Sequence, residues 1–548
     1  MAATVSCDTL PTGSLAHAKS NLMMSNTPRI AEKHVMHPTL LALILPLAML
    51  AGCARADTSA AARALLAQAR DATGGAAWDQ VASTRRIYTN ILDNGETDAG
   101  NELTDVQSGR YAATIATPAG LPLRFGWDGK RYWESQFGIS TYKDASEADL
   151  AFIKCLGQWY ARCGPGEFSL AGERQHGGAR YDVVRIVSPA HQPVEFWIHR
   201  ATHRIERLAY GPALRNMVDY SDFRQVGAVR IAFEERTTSP TGMLLTRLSR
   251  VELNTPAPAQ AWDKPVDRPI EGLADHPDGV TVDLDKCGDQ THLCVHTMLN
   301  GKGPFRMMLD SGAALNVMTP ETAARLGVKV QGKVTVQGTS NSTSAGALAS
   351  VARTSLDSLT QADQTFAVLP IGYEGADGLL GYQWLRQAVT RIDWAARKLT
   401  FYDPASYVYK GPAQARPLDV VGNVPRVEAR IDGHAGWFNL DTGDFAGVTV
   451  NPAFARATGL DLAYPTGEVS HYGGIGGGAQ ALLTQARLLE FGSARLRAPQ
   501  LQLSRQTRDV LSAPGLAGNL GYGVLHRFDI VLDYPGSRIY FEPNTSTP

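Results

Sequence analysis

Two aspartates in matching settings are the first candidates for chemistry. Asp310 ends the apolar run Phe305-Arg306-Met307-Met308-Leu309 and opens the turn Ser311-Gly312-Ala313. Asp441 ends Trp437-Phe438-Asn439-Leu440 and opens Thr442-Gly443. A single Asp-Ser/Thr-Gly triplet reads as an Asp in a turn before Gly. Two of them propose a pair of carboxylates facing each other across a pseudo-twofold axis. Carboxylates within hydrogen-bond distance share one proton, because both cannot easily ionise. The ionised member can take a proton from a water that attacks a carbonyl, and the protonated member polarises that carbonyl. The apparent pKa values belong to the pair. The Ser311 and Thr442 hydroxyls can bond across the loops and hold the carboxyls flat. Gly312 and Gly443 let backbone N–H groups approach with no Cβ in the way. Asp444 adds a third carboxylate. Buried, it raises the apparent pKa of the pair and impairs catalysis; turned to solvent, it has little effect.

Positioning such a pair takes two equivalent frames, and the chain repeats itself around the two aspartates. A hairpin signal precedes each, Asn300-Gly301 and Asp432-Gly433. A strand-like stretch follows each, Leu315-Asn316-Val317-Met318 and Gly447-Val448-Thr449-Val450. Next come Thr319-Pro320-Glu321 and Asn451-Pro452-Ala453, an N-cap residue before Pro at the first helical position. Gly327 and Gly459 close these two helices. Further on, Gly378-Leu379-Leu380-Gly381-Tyr382 matches Gly518-Asn519-Leu520-Gly521-Tyr522. Leu385 and Leu525, Asp393 and Asp533, and Phe401 and Phe541 then recur at identical offsets. The repeat predicts two β-rich lobes, 280–411 and 418–546, joined near Pro412 and Pro417.

The chain of 548 residues allows about three to four domains. Its 44% hydrophobic and 19% charged residues suit globular domains, and its 53 Gly and 30 Pro suit β-rich folds with many turns. A net charge of -1 and the lack of a Lys/Arg-rich run leave no electrostatic footprint for nucleic acid. Of six cysteines, Cys155 with Cys163 and Cys287 with Cys294 are spaced to close small disulfide loops in an oxidising compartment. The alternative is two pairs of free thiols. Neither pair has the spacing and His partners of a zinc site, so no metal is expected.

Residues 1–35 are polar and unpatterned. Leu40 to Leu50 is an apolar run broken by Pro46, of signal-peptide length and too short to span a bilayer. It ends Leu50-Ala51-Gly52-Cys53, which resembles a bacterial lipobox and makes Cys53 the expected lipidation site. A plain secretory signal cut near Ala56 is the alternative. Segment 1–53 is thus read as an upstream stretch plus signal, with the true start at a later Met such as Met24 or Met36. Residues 58–73 predict a helix, with Ala61, Leu65, Leu66 and Ala69 at helical spacing and Gly74-Gly75 as its stop. From Val81 to Leu253 short β-prone runs alternate with turns such as Asp93-Asn94-Gly95 and Asp128-Gly129. A domain over 57–255 follows, an α+β antiparallel open half-barrel. It weakly resembles periplasmic lipoprotein carriers, with Trp127, Tyr132, Trp133, Phe196 and Trp197 as sheet core. Residues 256–279, with Pro256, Pro258, Pro265, Pro269 and Pro277, read as a Pro-rich linker or strap.

The paired triplets and the repeat resemble the retropepsin-like aspartic proteases in their bacterial single-chain, two-lobed periplasmic form. The resemblance covers about half the chain. It assigns the catalytic pair to Asp310 and Asp441, with Ser311, Gly312, Thr442 and Gly443 in support. Leu379-Leu380-Gly381 matches the family's apolar-apolar-Gly element; Asn519-Leu520-Gly521 departs from it by one Asn. The family's lobes carry a hairpin flap over the substrate. Gly338-Thr339-Ser340-Asn341 lies where one falls in the first lobe, and Gly473-Gly474-Ile475-Gly476-Gly477-Gly478 in the second. The flap candidates are Gly338, Thr339, Gly474 and Gly476; a floppy linker is the alternative. The second stretch lacks the helix and acidic partner of a dinucleotide site.

No H-E-x-x-H, G-x-S-x-G or P-loop occurs. His434 and His471 read as solvent-facing loop residues. The expectation is a mainly β protein with an aspartic-type endopeptidase in its C-terminal half, acting on a peptide or protein without a cofactor. One chain suffices to build the site, and a lipid anchor is the only membrane contact, in the periplasm or at the outer membrane. The rival is an inactive protease fold that binds a lipid, peptide or lipoprotein.

Overall fold

The computed structural model describes residues 4–6, 58–117, 121–142, 167–187, 193–240, 242–288, 292–492, 494–513 and 515–544. The apolar run 40–50, Cys53, Cys155 and Cys163 lie outside them. Within residues 1–35, expected to be unpatterned, Thr4–Ser6 forms a short strand on the edge of Val330–Gln337.

The chain is mainly β. After the helix Thr58–Asp71 comes a 13-stranded sheet, antiparallel throughout. Each strand lies beside its sequence neighbour, except where Ser83–Leu92 pairs with Gly242–Leu253. The ends of the sheet, Ile139–Tyr142 and Glu167–His176, do not close on one another, so it is an open half-barrel. The helix packs on Glu167–His176 and Ala179–Val187. Tyr132, Trp133 and Phe196 are buried, as expected of sheet core, and Trp127 and Trp197 half-buried. Period-two alternation on Ser83–Leu92 also buries Thr84, Arg86, Tyr88 and Asn90. Arg86 is tolerated there because Glu102 and Glu235 pair with it.

Residues 256–279 are a strap packed against the first lobe rather than a free linker. Trp262, Ile270 and Leu273 are buried, and Glu271 exchanges backbone hydrogen bonds with Thr360. Trp133 Nε1 donates to the Trp262 carbonyl at 2.8 Å, and Gln383 Nε2 donates to the Phe137 carbonyl at 2.6 Å. The half-barrel, strap and first lobe thus share contacts.

The two lobes repeat one topology. In the first, Lys302–Leu309 runs parallel to Gly378–Leu380, which is antiparallel to Asn316–Met318, itself parallel to Leu359–Val368. In the second, His434–Leu440, Leu516–Leu520, Val448–Val450 and Gln500–Ser504 have the same relations. The turn residues Asn300, Gly301, Asp432 and Gly433 all have positive φ. Thr319 and Asn451 cap the helices Pro320–Leu326 and Pro452–Thr458 by accepting from Thr322 N and Phe454 N, and Gly327 and Gly459 end them in the left-handed conformation.

The two lobes are also joined to each other by strand pairing. A third, six-stranded sheet joins them, in the order Val280–Asp283, Lys398–Tyr402, Val389–Asp393, Phe528–Asp533, Arg538–Pro543 and Arg416–Pro417. Val389–Asp393 pairs directly with Phe528–Asp533, so the lobe frames are fixed relative to one another by backbone hydrogen bonds.

Candidate active site

Each candidate carboxylate is delivered by a central strand and held by the strand beside it. Asp310 N donates to the Leu380 carbonyl and Asp441 N to the Leu520 carbonyl, both at 3.0 Å. These partners belong to the repeated apolar-Gly elements, so the elements fix the height of each loop. Both carboxyls are fully buried. Asp310 Oδ1 accepts from Gly312 N at 2.9 Å, and Asp441 Oδ1 from Gly443 N at 3.0 Å.

The loops interlock. Thr442 Oγ1 donates to the Leu309 carbonyl at 2.8 Å and accepts from Ser311 N at 3.0 Å. Ser311 Oγ donates to the Leu440 carbonyl at 2.8 Å and accepts from Thr442 N at 3.1 Å. The glycines are needed as much for the opposite carboxyl as for their own. A Cβ on Gly312 would sit 2.5 Å from Asp441 Cγ, and one on Gly443 2.5 Å from Asp310 Cγ. Burial pushes Asp310 up to about 8, helped by the charge of Asp441 and the hydrogen bond between the two side chains.

Asp444 is half-buried, with its carboxyl turned toward the pair. Its Oδ1 accepts from Ala446 N at 2.9 Å and its Oδ2 from Asn519 Nδ2 at 2.9 Å. Asn519 Nδ2 also donates to Asp441 Oδ2 at 2.9 Å. Burial first and the Asp441 charge second hold Asp444 above the usual carboxylate range. The two departures from the repeat, Asp444 for Ala313 and Asn519 for Leu379, are therefore one unit.

The proposed flap segments are loops at hairpin ends, and they meet. Gly338 and Thr339 lie between Val330–Gln337 and Thr343–Leu356; Gly474 and Gly476 lie at the turn joining Glu468–Gly474 to Gly477–Gln485. A Cβ on Gly338 would be 1.9 Å from the Ile475 carbonyl oxygen, and one on Gly476 2.2 Å from that of Ser342. Asn341 Oδ1 accepts from Thr507 N and Arg508 N, which docks the first tip on the second lobe. The second Gly-rich stretch is a paired hairpin, not a floppy linker.

Cys287 and Cys294 are disulfide-bonded, with Cα atoms 5.4 Å apart. The loop they close carries a residue with no marker in the sequence, His292. It is buried, with Nε2 3.1 Å from the Gly443 carbonyl oxygen, and its ring meets Tyr373 edge-on at 5.0 Å. Tyr373 Oη donates to the same carbonyl at 3.4 Å. His434 and His471 lie on strands rather than loops, and His471 is exposed.

No curated protein matches the chain. Among solved structures, a DUF1329 family protein from Desulfovibrio piger aligns over 38% of this chain and 98% of its own, at 11% identity and a TM-score of 0.29. A LolA superfamily protein from Nitrosomonas europaea aligns over 37% and 97%, at 13% identity and a TM-score of 0.29. A retropepsin-like aspartic protease from Rickettsia conorii aligns over 24% and 96%, at 15% identity and a TM-score of 0.19. The aspartyl protease family model matches residues 295–384, a span that holds Asp310 and Leu379-Leu380-Gly381 of the first lobe.

Proposed function

We propose that the protein is an aspartic-type endopeptidase that hydrolyses peptide bonds with a water activated between Asp310 and Asp441. The observation that carries this reading is the reciprocal approach of Gly312 to the Asp441 carboxyl and of Gly443 to the Asp310 carboxyl. A turn Asp with a structural role has no reason to meet its repeat partner head-on inside a buried, cross-bonded loop pair.

The chemistry follows from one proton shared by two carboxyls. The ionised member takes a proton from water as its oxygen adds to the peptide carbonyl carbon. The protonated member gives its proton to the carbonyl oxygen. Collapse of the tetrahedral intermediate breaks the C–N bond: the leaving nitrogen takes the proton that came from water, and a hydroxyl of the intermediate returns its proton to the other carboxyl, which leaves an acid and restores one shared proton to the pair. No cofactor enters these steps, and one chain carries both carboxyls. The two hairpin tips are the parts that open to admit an extended peptide.

The disulfide at Cys287–Cys294 fits an oxidising compartment. With the signal-like run ahead of Cys53, it supports a lipid-anchored protein of the periplasm or outer membrane. Among the described residues no helix is long and apolar enough to cross a membrane. The rival, an inactive fold that binds a lipid, peptide or lipoprotein, draws on the inward carboxyl of Asp444.

The test is a peptide-library digest with wild type, Asp310→Asn and Asp441→Asn between pH 3 and 8. Cleavage by wild type alone is expected. Cleavage that persists in both variants removes the pair from the mechanism, and a wild type that cleaves nothing favours the binding reading.

A further inference from the structure

The two lobes repeat each other closely around the carboxyls, but at two facing positions they differ in chemistry. Where the first lobe has Leu379 and Ala313, the second has Asn519 and Asp444. The backbone frame repeats, and this substitution pair gives the second carboxyl a side-chain donor that the equivalent first-lobe position cannot supply.

Asn519 is fully buried, on the strand beside the one that delivers Asp441. Both of its N–H bonds are aimed at carboxylate oxygens, Asp441 Oδ2 and Asp444 Oδ2, each at 2.9 Å. The reverse orientation of the amide would set Oδ1 against those two oxygens, so Asp444 locks the amide with its donors inward. Asp444 is itself held by Ala446 N. Leu379, in the equivalent place, has no side-chain donor for Asp310. A donor favours the charged form of the carboxylate that accepts from it.

We propose that Asn519 is a positioning residue which, clamped by Asp444, assigns the negative charge of the pair to Asp441 and the shared proton to Asp310. The inference rests on the hydrolase reading for its consequence: Asp441 is the base that takes the water proton, and Asp310 is the acid that polarises the carbonyl. Other ionisable groups near the site act on it at one remove. Tyr534 lies in the field of Asp310, and Tyr472 in those of Asp509 and Asp444. Burial keeps both phenols neutral. His292 contacts the Gly443 carbonyl.

The test uses the full chain as wild type, Asn519→Leu, Asp444→Ala and the double variant, which reproduces the first lobe's Leu379 and Ala313. Two readouts run in parallel: the pH profile of kcat/KM on the peptide library, and aspartate carboxyl titration by carbon-13 NMR. Loss of a hydrogen bond to a charged group raises the pKa of its carboxylate by about one to two units. Asn519→Leu is therefore expected to move the acid limb, and the carboxyl titration of the pair, to higher pH by that amount. Adding Asp444→Ala should bring the limb partly back, because the half-buried like charge goes with it. If Asn519→Leu does not fold, Asp444→Ala against the double variant isolates the same hydrogen bond, and the acid limb should lie higher in the double. An unchanged titration across either comparison overturns the proposal, even if activity falls, because a merely structural Asn would lower activity without moving the limb. Titrations that shift while wild type cleaves no peptide sink the hydrolase reading and leave the assignment of charge standing.

Discussion

The α-carbon of Gly312 lies against the carboxyl of Asp441, so closely that a Cβ built there would be 2.5 Å from Cγ. Real contacts of that kind do not occur below about 3 Å, so any side chain at this position must push the opposite loop away. Gly312→Ala should lower kcat/KM by about 100-fold through misplacement of the pair. It should also cost about 1–3 kcal/mol of stability. Gly372→Ala, where no atom lies within 4 Å, is the control. Peptide cleavage and urea midpoints measure both, and equal behaviour of the two variants would contradict the geometry.

The buried pair makes folding pH-dependent with a definite sign. Asp310 is pushed up to about 8 in the folded protein, so between about pH 4 and 8 the folded state holds a proton that the unfolded chain releases. Stability tied to this group is complete below about pH 4 and is lost as pH rises through about 8. Asp310→Asn removes that loss. Its advantage over wild type should grow with pH and reach at most about 4 kcal/mol at pH 7. Chemical denaturation at several pH values reads the difference, and parallel curves would refute it.

The crossed hydroxyls hold two loops that meet only in the folded state. Thr442→Ala takes a donor from the Leu309 carbonyl and an acceptor from Ser311 N, both buried. The expected cost is about 2–4 kcal/mol, while Thr442→Ser keeps both bonds and should stay within about 1 kcal/mol of wild type. Denaturant midpoints of the two variants separate a hydrogen-bonding role from simple packing of the Thr methyl.

The disulfide should act on the site as well as on stability. Cys287 and Cys294 are seven residues apart, and closing so short a loop stabilises by about 2–3 kcal/mol. Replacing both with Ser should remove that amount. It should also loosen His292 from the Gly443 carbonyl and lower kcat more than it raises KM. A variant that loses stability with kcat intact would show that His292 is held by packing alone.

What the sequence determined by itself is local. Turn residues with positive φ, N-caps before Pro, closing glycines and apolar runs act over a few residues, so the two lobes and both Asp loops could be read from the repeat. The antiparallel meander was legible for the same reason, since apart from Ser83–Leu92 on Gly242–Leu253 its neighbours in space are neighbours in sequence. What only the tertiary structure decided is which distant groups meet. Period and composition show that a face is buried, not what covers it. The strap over the first lobe, the sheet shared by Val389–Asp393 and Phe528–Asp533, and His292 on the Gly443 carbonyl depend on contacts across long stretches of chain. So does the fate of Asp444. Its letter beside the second triplet looked like a threat to the pair. Asn519 turns it into a clamp, and a hydrogen bond between such distant positions exists only once the sheet has brought their strands together.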